Sequence, residues 1–226
     1  MRNLALMWVL VGVAVALLAA GDGKPSVSTF IDKRDGKVYR IVRIGSQVWF
    51  AENLNYAAEG SKCYGEGGDV VVGIDEYGYA IKTTLSNAEV QTNCTKYGRL
   101  YNWETAKQAC PAGWHLPSDD EWGKLEKSVR DVPIAGTKLK SSEGWNHNGN
   151  GTDDYGFSAF PGGKRYSDGI FDGAGNFGHW WSATELDAIF ASYCIMFCYH
   201  EFVHWYYNGK TGLFSVRCVQ DDEKER

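Results

Sequence analysis

The chain has 226 residues, a length that suits one large domain or two small ones. Its formal net charge is −5 at pH 7, and acidic and basic residues are interspersed, so the sequence lacks the basic surface that binds nucleic acid or an anionic membrane. The 27 Gly, 9 Trp and 13 Tyr residues indicate a loop-rich fold packed with bulky aromatic side chains.

The first 21 residues have the pattern of a signal peptide. Arg2 precedes an uncharged apolar run over residues 4–20, and the small residues at 19–21 suit a signal peptidase. The run is short for a membrane-spanning helix, and Gly, Asp and Pro residues follow it. We therefore expect cleavage and export to a secreted or cell-envelope location with no membrane span. An uncleaved membrane anchor is the alternative.

The remaining chain divides by composition into a polar linker over residues 22–29, one domain over 30–222 and a charged tail over 223–226. Six cysteines behind an export signal indicate disulfides formed in an oxidising compartment. They are Cys63, Cys94, Cys110, Cys194, Cys198 and Cys218. Cysteine spacing alone does not fix which of them pair.

Two runs of β-branched and aromatic residues open the domain. Gly45 and Ser46 separate these runs and fit a two-residue hairpin turn that begins with glycine. Residues 59–93 are rich in Gly, Asp and Tyr and have weak periodicity. We interpret them as a long ordered loop with a short helix near residues 85–91.

Two short helices are predicted next. The first begins after Asn102 as its N-cap and is stopped by Pro111. The second begins with a capping box formed by Ser118 and Glu121, and its acidic first turn and basic later turns match the helix dipole. Trp122 begins the apolar stripe that faces the core.

The second half of the chain is dominated by turns and strands. Residues 131–181 are rich in turn-forming and aromatic residues, so we expect irregular but packed structure. The last third is typical of strands, and Asn208 and Gly209 mark a hairpin turn. The elements together predict an α+β fold with two short helices, a small antiparallel sheet and long ordered loops.

His200, Glu201 and His204 match the H-E-x-x-H pattern of zinc metalloproteases. That chemistry needs a helix, which brings both imidazoles to one zinc ion while the glutamate activates water. Here the flanking residues are aromatic or β-branched, so we expect a strand or a turn. In a strand, residues four apart stand about 13 Å from each other, too far to bind one ion.

Cys194 and Cys198 form a closely spaced pair that could be redox-active or bind a metal. In a strand they cannot bridge each other without a sharp reversal between them. A disulfide to another cysteine and two buried thiols are the other interpretations, and the residues leave the choice open.

Several aromatic residues could form a sugar-stacking surface, because ring faces pack on the apolar side of a pyranose. They are Trp145, Trp180, Trp181, Trp205, Tyr206 and Tyr207. Core packing is the competing interpretation. Alternation along a strand would turn part of residues 205–207 outward. The candidate ligand-binding residues are therefore Trp145, Trp205, Tyr206 and Tyr207.

Several sequence blocks occur in an order that is typical of one family. They are GSQVWFAENLNY (45–56), YGRLYNWETA (97–106), CPAGWHLPSDDEW (110–122), GFSAFPGG (156–163), WWSATE (180–185) and FSVRCVQ (214–220). Through these blocks the chain resembles the Fibrobacter succinogenes major paralogous domain family over nearly the whole predicted domain. The resemblance implies a C-type-lectin-like fold, distantly similar to that of formylglycine-generating enzymes.

The resemblance also implies how four cysteines pair. The expected disulfides are Cys110 with Cys218 and Cys63 with Cys94. Closing a loop as large as the first contributes about 4 to 5 kcal/mol in the chain-entropy model, and the second contributes less.

These features favour an exported, non-catalytic binding or adhesion module that recognises polysaccharide or a cell-surface protein, with no cofactor. Export, aromatic residues and long loops support this interpretation. The enzymatic alternatives are a zinc peptidase at residues 200–204 and a copper or thiol oxidase at Cys194 and Cys198. The latter pair is similar to the copper-binding cysteines of formylglycine-generating enzymes, although it has three intervening residues instead of four.

Overall fold

The computed structural model describes residues 27–129 and 132–222. The predicted signal peptide, the charged tail and residues 22–26 of the predicted linker lie outside these ranges. The remaining linker residues, 27–29, form the start of the first strand. None of the helices in the described part of the chain is long and apolar enough to cross a membrane.

Fifteen strands and four α-helices make up the described residues. The strands are β1 (Val27–Ile31), β2 (Val38–Ile44), β3 (Gln47–Phe50), β4 (Lys62–Cys63), β5 (Asp69–Ile74), β6 (Ala80–Thr84), β7 (Arg99–Tyr101), β8 (Trp114–His115), β9 (Lys164–Arg165), β10 (Phe171–Asp172), β11 (Phe177–Glu185), β12 (Phe190–Phe197), β13 (His204–Gly209), β14 (Phe214–Ser215) and β15 (Val219–Gln220). The helices are α1 (Asn87–Tyr97), α2 (Trp103–Ala109), α3 (Asp119–Ser128) and α4 (Ala135–Leu139), with a 3₁₀ turn at Val132–Ile134.

The strands form three sheets. A five-stranded sheet has the order β1-β2-β3-β15-β8, a six-stranded sheet has the order β13-β12-β11-β14-β7-β4, and a four-stranded sheet has the order β6-β5-β10-β9. Parallel pairing joins β11 to β14 and β5 to β10. Each sheet combines strands from both halves of the chain, so long-range pairing holds the fold together.

The predicted fold class is wrong. We expected a C-type-lectin-like α+β fold with two short helices and one small antiparallel sheet, whereas the structure has fifteen strands in three sheets and four helices. Several strands, such as β4 and β10, are two residues long and carry no hydrophobic period. Residues 59–93, interpreted as a loop with a short helix, also contain the hairpin β5–β6, whose alternation is interrupted by Gly73.

Most local turn and cap predictions are confirmed. Gly45, with a φ of 60°, begins the two-residue turn between β2 and β3. Asn102 caps α2, and Ser118 and Glu121 form the reciprocal capping box of α3. Residues 208–209, by contrast, lie inside β13 and pair with β12, so the turn comes later than predicted.

Buried aromatic rings dominate two core clusters. In one, Trp49 packs against Trp122 with ring centroids 4.9 Å apart. In the other, Trp181 stacks on Phe214 at 4.3 Å. Fully burying a large apolar side chain contributes about 1.5 to 3 kcal/mol. Much of the aromatic content therefore serves the core.

Both expected disulfides are present. Cys63 bonds to Cys94, which ties β4 to α1. Cys110 bonds to Cys218 across a sequence separation of 108, with 5.9 Å between the Cα atoms. This second bond joins the end of α2 to the segment before β15. In the chain-entropy model it stabilises the fold by about 1 to 2 kcal/mol more than a bond that closes a short loop.

Candidate functional site

The six-stranded sheet has two different faces. Strand alternation directs Trp180 of β11 and Cys194 and Met196 of β12 into the core, and we call this side the inner face. We call the opposite side the outer face. The residues that it carries from β11, β12 and β13 include Phe177, His179, Tyr193, Ile195, Phe197 and Tyr206.

A cavity of about 270 Å³ opens on the outer face, and we call it the aromatic cleft. Its lining residues are Lys164, Tyr166, Asp172, Phe177, His179, Tyr193, Ile195, Phe197 and Tyr206. Lys164, Tyr166 and Asp172 come from the hairpin β9–β10, and the other residues come from β11, β12 and β13. Two parts of the chain distant in sequence therefore meet in the cleft.

Aromatic rings of the cleft remain accessible to solvent. Tyr206 is 48% exposed and Tyr166 is 41% exposed. The Tyr193 and Tyr206 ring centroids are 6.1 Å apart. The Phe177 ring packs edge-on against Phe197 at 5.4 Å. Tyr206 therefore packs beside Tyr193 while part of its ring stays accessible to solvent.

The hairpin β9–β10 brings polar groups to the cleft. Lys164 and Asp172 are direct partners across this hairpin. The Tyr166 hydroxyl donates a hydrogen bond to Asp172 Oδ2 at 3.2 Å, and Lys164 Nζ lies 4.3 Å from the Tyr166 ring centroid. Burial, followed by the charge of Asp172, raises the pKa of Tyr166 to about 12. The cleft therefore offers hydrogen-bond donors and a carboxylate acceptor beside aromatic rings.

His179 is the buried polar residue of the cleft. It is 2% exposed, and its Nδ1 atom has no hydrogen-bond partner among the described residues. Its ring stacks on Tyr193 at 5.7 Å. Burial, followed by the charge of Lys164, lowers the pKa of His179 well below its ordinary value, so the imidazole is neutral at pH 7. An unpaired buried polar atom costs about 1 to 3 kcal/mol, so its retention in a native fold calls for an explanation.

The composition of the cleft suits binding. Small-molecule sites are concave and mostly apolar, with a few convergent polar groups that fix orientation. The cleft has that composition, and its lining contains no Ser, Thr or Cys side chain. Ring faces can pack on the C–H groups of a ligand while Lys164 and Asp172 bind its hydroxyls.

The predicted ligand-binding aromatics do not form one surface. Tyr206 lines the aromatic cleft. Trp145 is buried in the core, and Trp205 packs on Trp122 at 6.4 Å on the inner side. Tyr207 is 54% exposed, but strand alternation points it away from the face that carries Tyr206.

The H-E-x-x-H residues do not lie on a helix. His200 and Glu201 lie in the connection between β12 and β13, and His204 begins β13. The separation of about 13 Å that a strand would give does not apply, because the chain reverses here and places His200 Nδ1 at 2.7 Å from His204 Nε2. Among the described residues, no three His, Cys, Asp or Glu side chains are arranged to hold a metal ion. The zinc peptidase alternative therefore lacks its required helix.

Cys194 and Cys198 are buried and free. Cys194 lies on the inner face, and Cys198 follows the end of β12. Burial raises the pKa of both thiols, which keeps them protonated and poorly reactive. Two buried thiols is the interpretation that fits this arrangement.

Sequence reasoning missed most of the cleft, including His179, Tyr193 and the hairpin β9–β10. A usable signal exists in β11 and β12, where residues 177, 179, 193, 195 and 197 are aromatic or aliphatic and share one parity. However, the residues that point to either side of these strands are largely apolar, so alternation does not reveal which face meets solvent.

Neither the curated proteins nor the solved structures include a match to this chain. A family model described as the Fibrobacter succinogenes major domain matches residues 42–220. This range includes the whole aromatic cleft and both disulfides. The chain therefore belongs to the Fibrobacter succinogenes major domain family, as its sequence blocks predicted.

Proposed function

We propose that the protein is an exported binding module that holds a polysaccharide in the aromatic cleft. Family membership assigns no activity, so the proposal depends on the cleft itself. The observation that carries it is the presence of accessible tyrosine rings beside a lysine and a carboxylate in one cavity. The two disulfides are consistent with an extracytoplasmic protein.

The accessible rings supply the apolar part of the interaction. Tyr166 and Tyr206 both line the cleft and keep nearly half of their surface exposed. A pyranose presents C–H groups on one face, and these pack on an aromatic ring without requiring a charged ligand. Each such ring contact is expected to contribute about 1 kcal/mol.

The polar pair supplies orientation. Lys164 can donate hydrogen bonds to a ligand and Asp172 can accept hydrogen bonds from it. The two residues stand opposite each other on adjacent strands. Neighbouring hydroxyls of a sugar can therefore bind both side chains at once. Groups placed in this way distinguish one sugar stereochemistry from another, because a misplaced hydroxyl leaves a polar side chain unpaired.

Affinity electrophoresis through gels that contain soluble polysaccharides tests the proposal. The panel includes β-glucan, xylan and galactomannan. At least one polysaccharide is expected to retard the protein, and Tyr206→Ala is expected to weaken that binding about tenfold. Tyr207→Ala is the matched control, because Tyr207 is the next residue, is similarly exposed and points to the other face.

Two results would contradict the proposal. One is the absence of retardation by every polysaccharide in the panel. The other is an equal loss of binding in the two tyrosine variants, since that would show that the cleft is not the binding surface. Either result would favour a cell-surface protein as the partner.

A further inference from the structure

The aromatic cleft adjoins a second cavity of about 670 Å³, which we call the hairpin cavity. Tyr166, Asp172 and Phe177 line both cavities. The hairpin β5–β6 supplies another wall of the hairpin cavity, where Val72 and Ile74 are among the lining residues. The two cavities therefore adjoin each other at these three residues, and we call them together the groove.

The hairpin β5–β6 presents apolar side chains to solvent beside this groove. Val72 is 59% exposed, Ile74 is 71% exposed, and every residue of β6 is exposed. Within its sheet, the hairpin joins the rest of the protein through the parallel pairing of Val70 with Phe171. A register shift between Val71 and Gly73 bends it. Apolar groups clustered in this way at a cavity wall mark an interaction site.

The charged side chains along the groove balance one another. Lys82 and Lys164 are its cations, and Asp168 and Asp172 are its anions. A groove that binds a charged polymer carries one dominant sign of charge, which attracts the opposite sign. This groove has no such excess, and it therefore complements an uncharged ligand.

From these observations we infer that the ligand is an extended, uncharged polysaccharide chain that occupies both cavities, contacting Tyr206 in one and Ile74 in the other. The inference rests on the proposed function and adds the length and charge of the ligand. The aromatic cleft alone is smaller than the range of about 300 to 1,000 Å³ that is usual for ligand sites, whereas the adjoining hairpin cavity falls within that range.

Calorimetric titration with neutral gluco-, xylo- and manno-oligosaccharides, from disaccharide to hexasaccharide, tests this inference. In the series that binds, affinity is expected to rise at least about tenfold from disaccharide to hexasaccharide. Ile74→Ser is expected to lower hexasaccharide affinity about fivefold and to leave disaccharide affinity unchanged. Tyr77→Ser is the control, because Tyr77 is 77% exposed on the same hairpin and does not line the groove.

Equal affinity for disaccharide and hexasaccharide, or equal effects of the two hairpin variants, would overturn the inference. Tighter binding of the acidic polymer polygalacturonate than of neutral chains would also overturn it. Tyr206→Ala separates this failure from failure of the proposed function. If this variant weakens binding of every oligosaccharide while Ile74→Ser changes nothing, the cleft binds sugar but not an extended chain. If no saccharide binds, both proposals fail.

Discussion

The two faces of the six-stranded sheet are built from the same strands, yet they differ in their contact with solvent. On the inner face, Trp180 is fully buried and its Nε1 donates to Asn53 Oδ1 at 2.8 Å. On the outer face, His179 is nearly as buried, but its Nδ1 has no partner among the described residues. The inner-face residues are therefore core, whereas the outer face combines buried residues such as Trp181 with the partly exposed rings of the aromatic cleft.

Replacement of Arg217, a buried cation beside the inner-face core, should have the largest effect on the free energy of unfolding. Arg217 is fully buried and donates to Asn53 Oδ1 at 3.0 Å, to the Phe50 carbonyl at 3.1 Å and to the Ser158 carbonyl at 2.9 Å. Burial lowers its pKa to about 9, so the side chain is charged at pH 7. Arg217→Met removes the donor to the Phe50 and Ser158 carbonyls, whereas Asn53 Oδ1 keeps its hydrogen bond from Trp180. The variant is expected to lower the free energy of unfolding by about 3 to 5 kcal/mol in urea denaturation.

Wild-type stability in Arg217→Met would contradict this expectation. It would mean that the cost of burying the cation cancels the stabilisation from its hydrogen bonds. The hydrogen bonds of Arg217 would then add nothing to the stability of the inner-face core.

Substitutions at Met196 and Phe197, which are neighbours in β12, allow the stability contributions of the two faces to be compared directly. Met196 is fully buried on the inner face, whereas Phe197 is half-buried on the outer face and lines the cleft. Met196→Ala is expected to cost about 2 to 4 kcal/mol of unfolding free energy, and Phe197→Ala about 1 kcal/mol, because the second leaves a smaller cavity in a partly solvated site. Thermal and urea unfolding of the two variants check this. Equal losses would show that the outer face is core and not a ligand surface.

The sequence predicts local features of this fold much better than it predicts the faces of its strands. The capping box of Ser118 and Glu121 is set by residues three apart, and the structure confirms it. The parity of Tyr206 and Tyr207 depends instead on how β13 pairs with β12 after a six-residue connection that reverses at His200. A shift of one residue would exchange their faces, so composition and alternation identify the two tyrosines but not which of them lines the cleft.

The cleft is also difficult to predict because its polar side comes from very short strands. Lys164 and Asp172 face each other only because two-residue strands β9 and β10 pair. Strands of that length show no periodicity, and their Gly-rich surroundings are typical of loops. The same property explains why the number of strands was underestimated.

Replacement of the buried imidazole of His179, whose Nδ1 is unpaired, sharpens the comparison of the faces. His179→Phe keeps an aromatic ring of similar size and removes the unpaired Nδ1, so it is expected to raise the unfolding free energy at pH 7 by about 1 kcal/mol. The pKa of His179 is lowered in the folded protein, so below its ordinary value of 6.5 the unfolded chain takes up a proton that the folded chain does not. Wild-type stability should therefore fall on mild acidification more steeply than that of the variant.

Thermal unfolding of both proteins across the mildly acidic range measures this difference. Parallel pH curves would show that the imidazole is not held neutral, which would contradict the burial of His179. If stability rises in the variant while polysaccharide affinity falls, the imidazole is retained for binding.

His115, on the neighbouring five-stranded sheet, should show the opposite pH dependence and the smallest effect. Its Nε2 lies 2.7 Å from Glu121 Oε1 and its Nδ1 lies 2.7 Å from Asp221 Oδ1. The hydrogen bond with Glu121 opposes the effect of burial and, with that of Asp221, raises the pKa of His115 to about 9. The stabilisation is therefore complete below the unfolded value of 6.5 and disappears as the pH rises through about 9.

His115→Gln removes this charge while keeping a polar side chain that can reach one carboxylate. The expected loss in unfolding free energy at neutral pH is less than about 1 kcal/mol, because 40% of the His115 side chain is exposed and solvent screens the ion pairs. The difference from wild type should shrink as the pH rises through about 9. A difference that persisted in alkaline solution would assign the effect to hydrogen-bond geometry instead of charge. The charge-based comparison of the two histidines would then fail. In that comparison, His179 has no acidic partner and weakens the fold in acid, whereas the stabilisation from His115, which lies between two carboxylates, is lost in base.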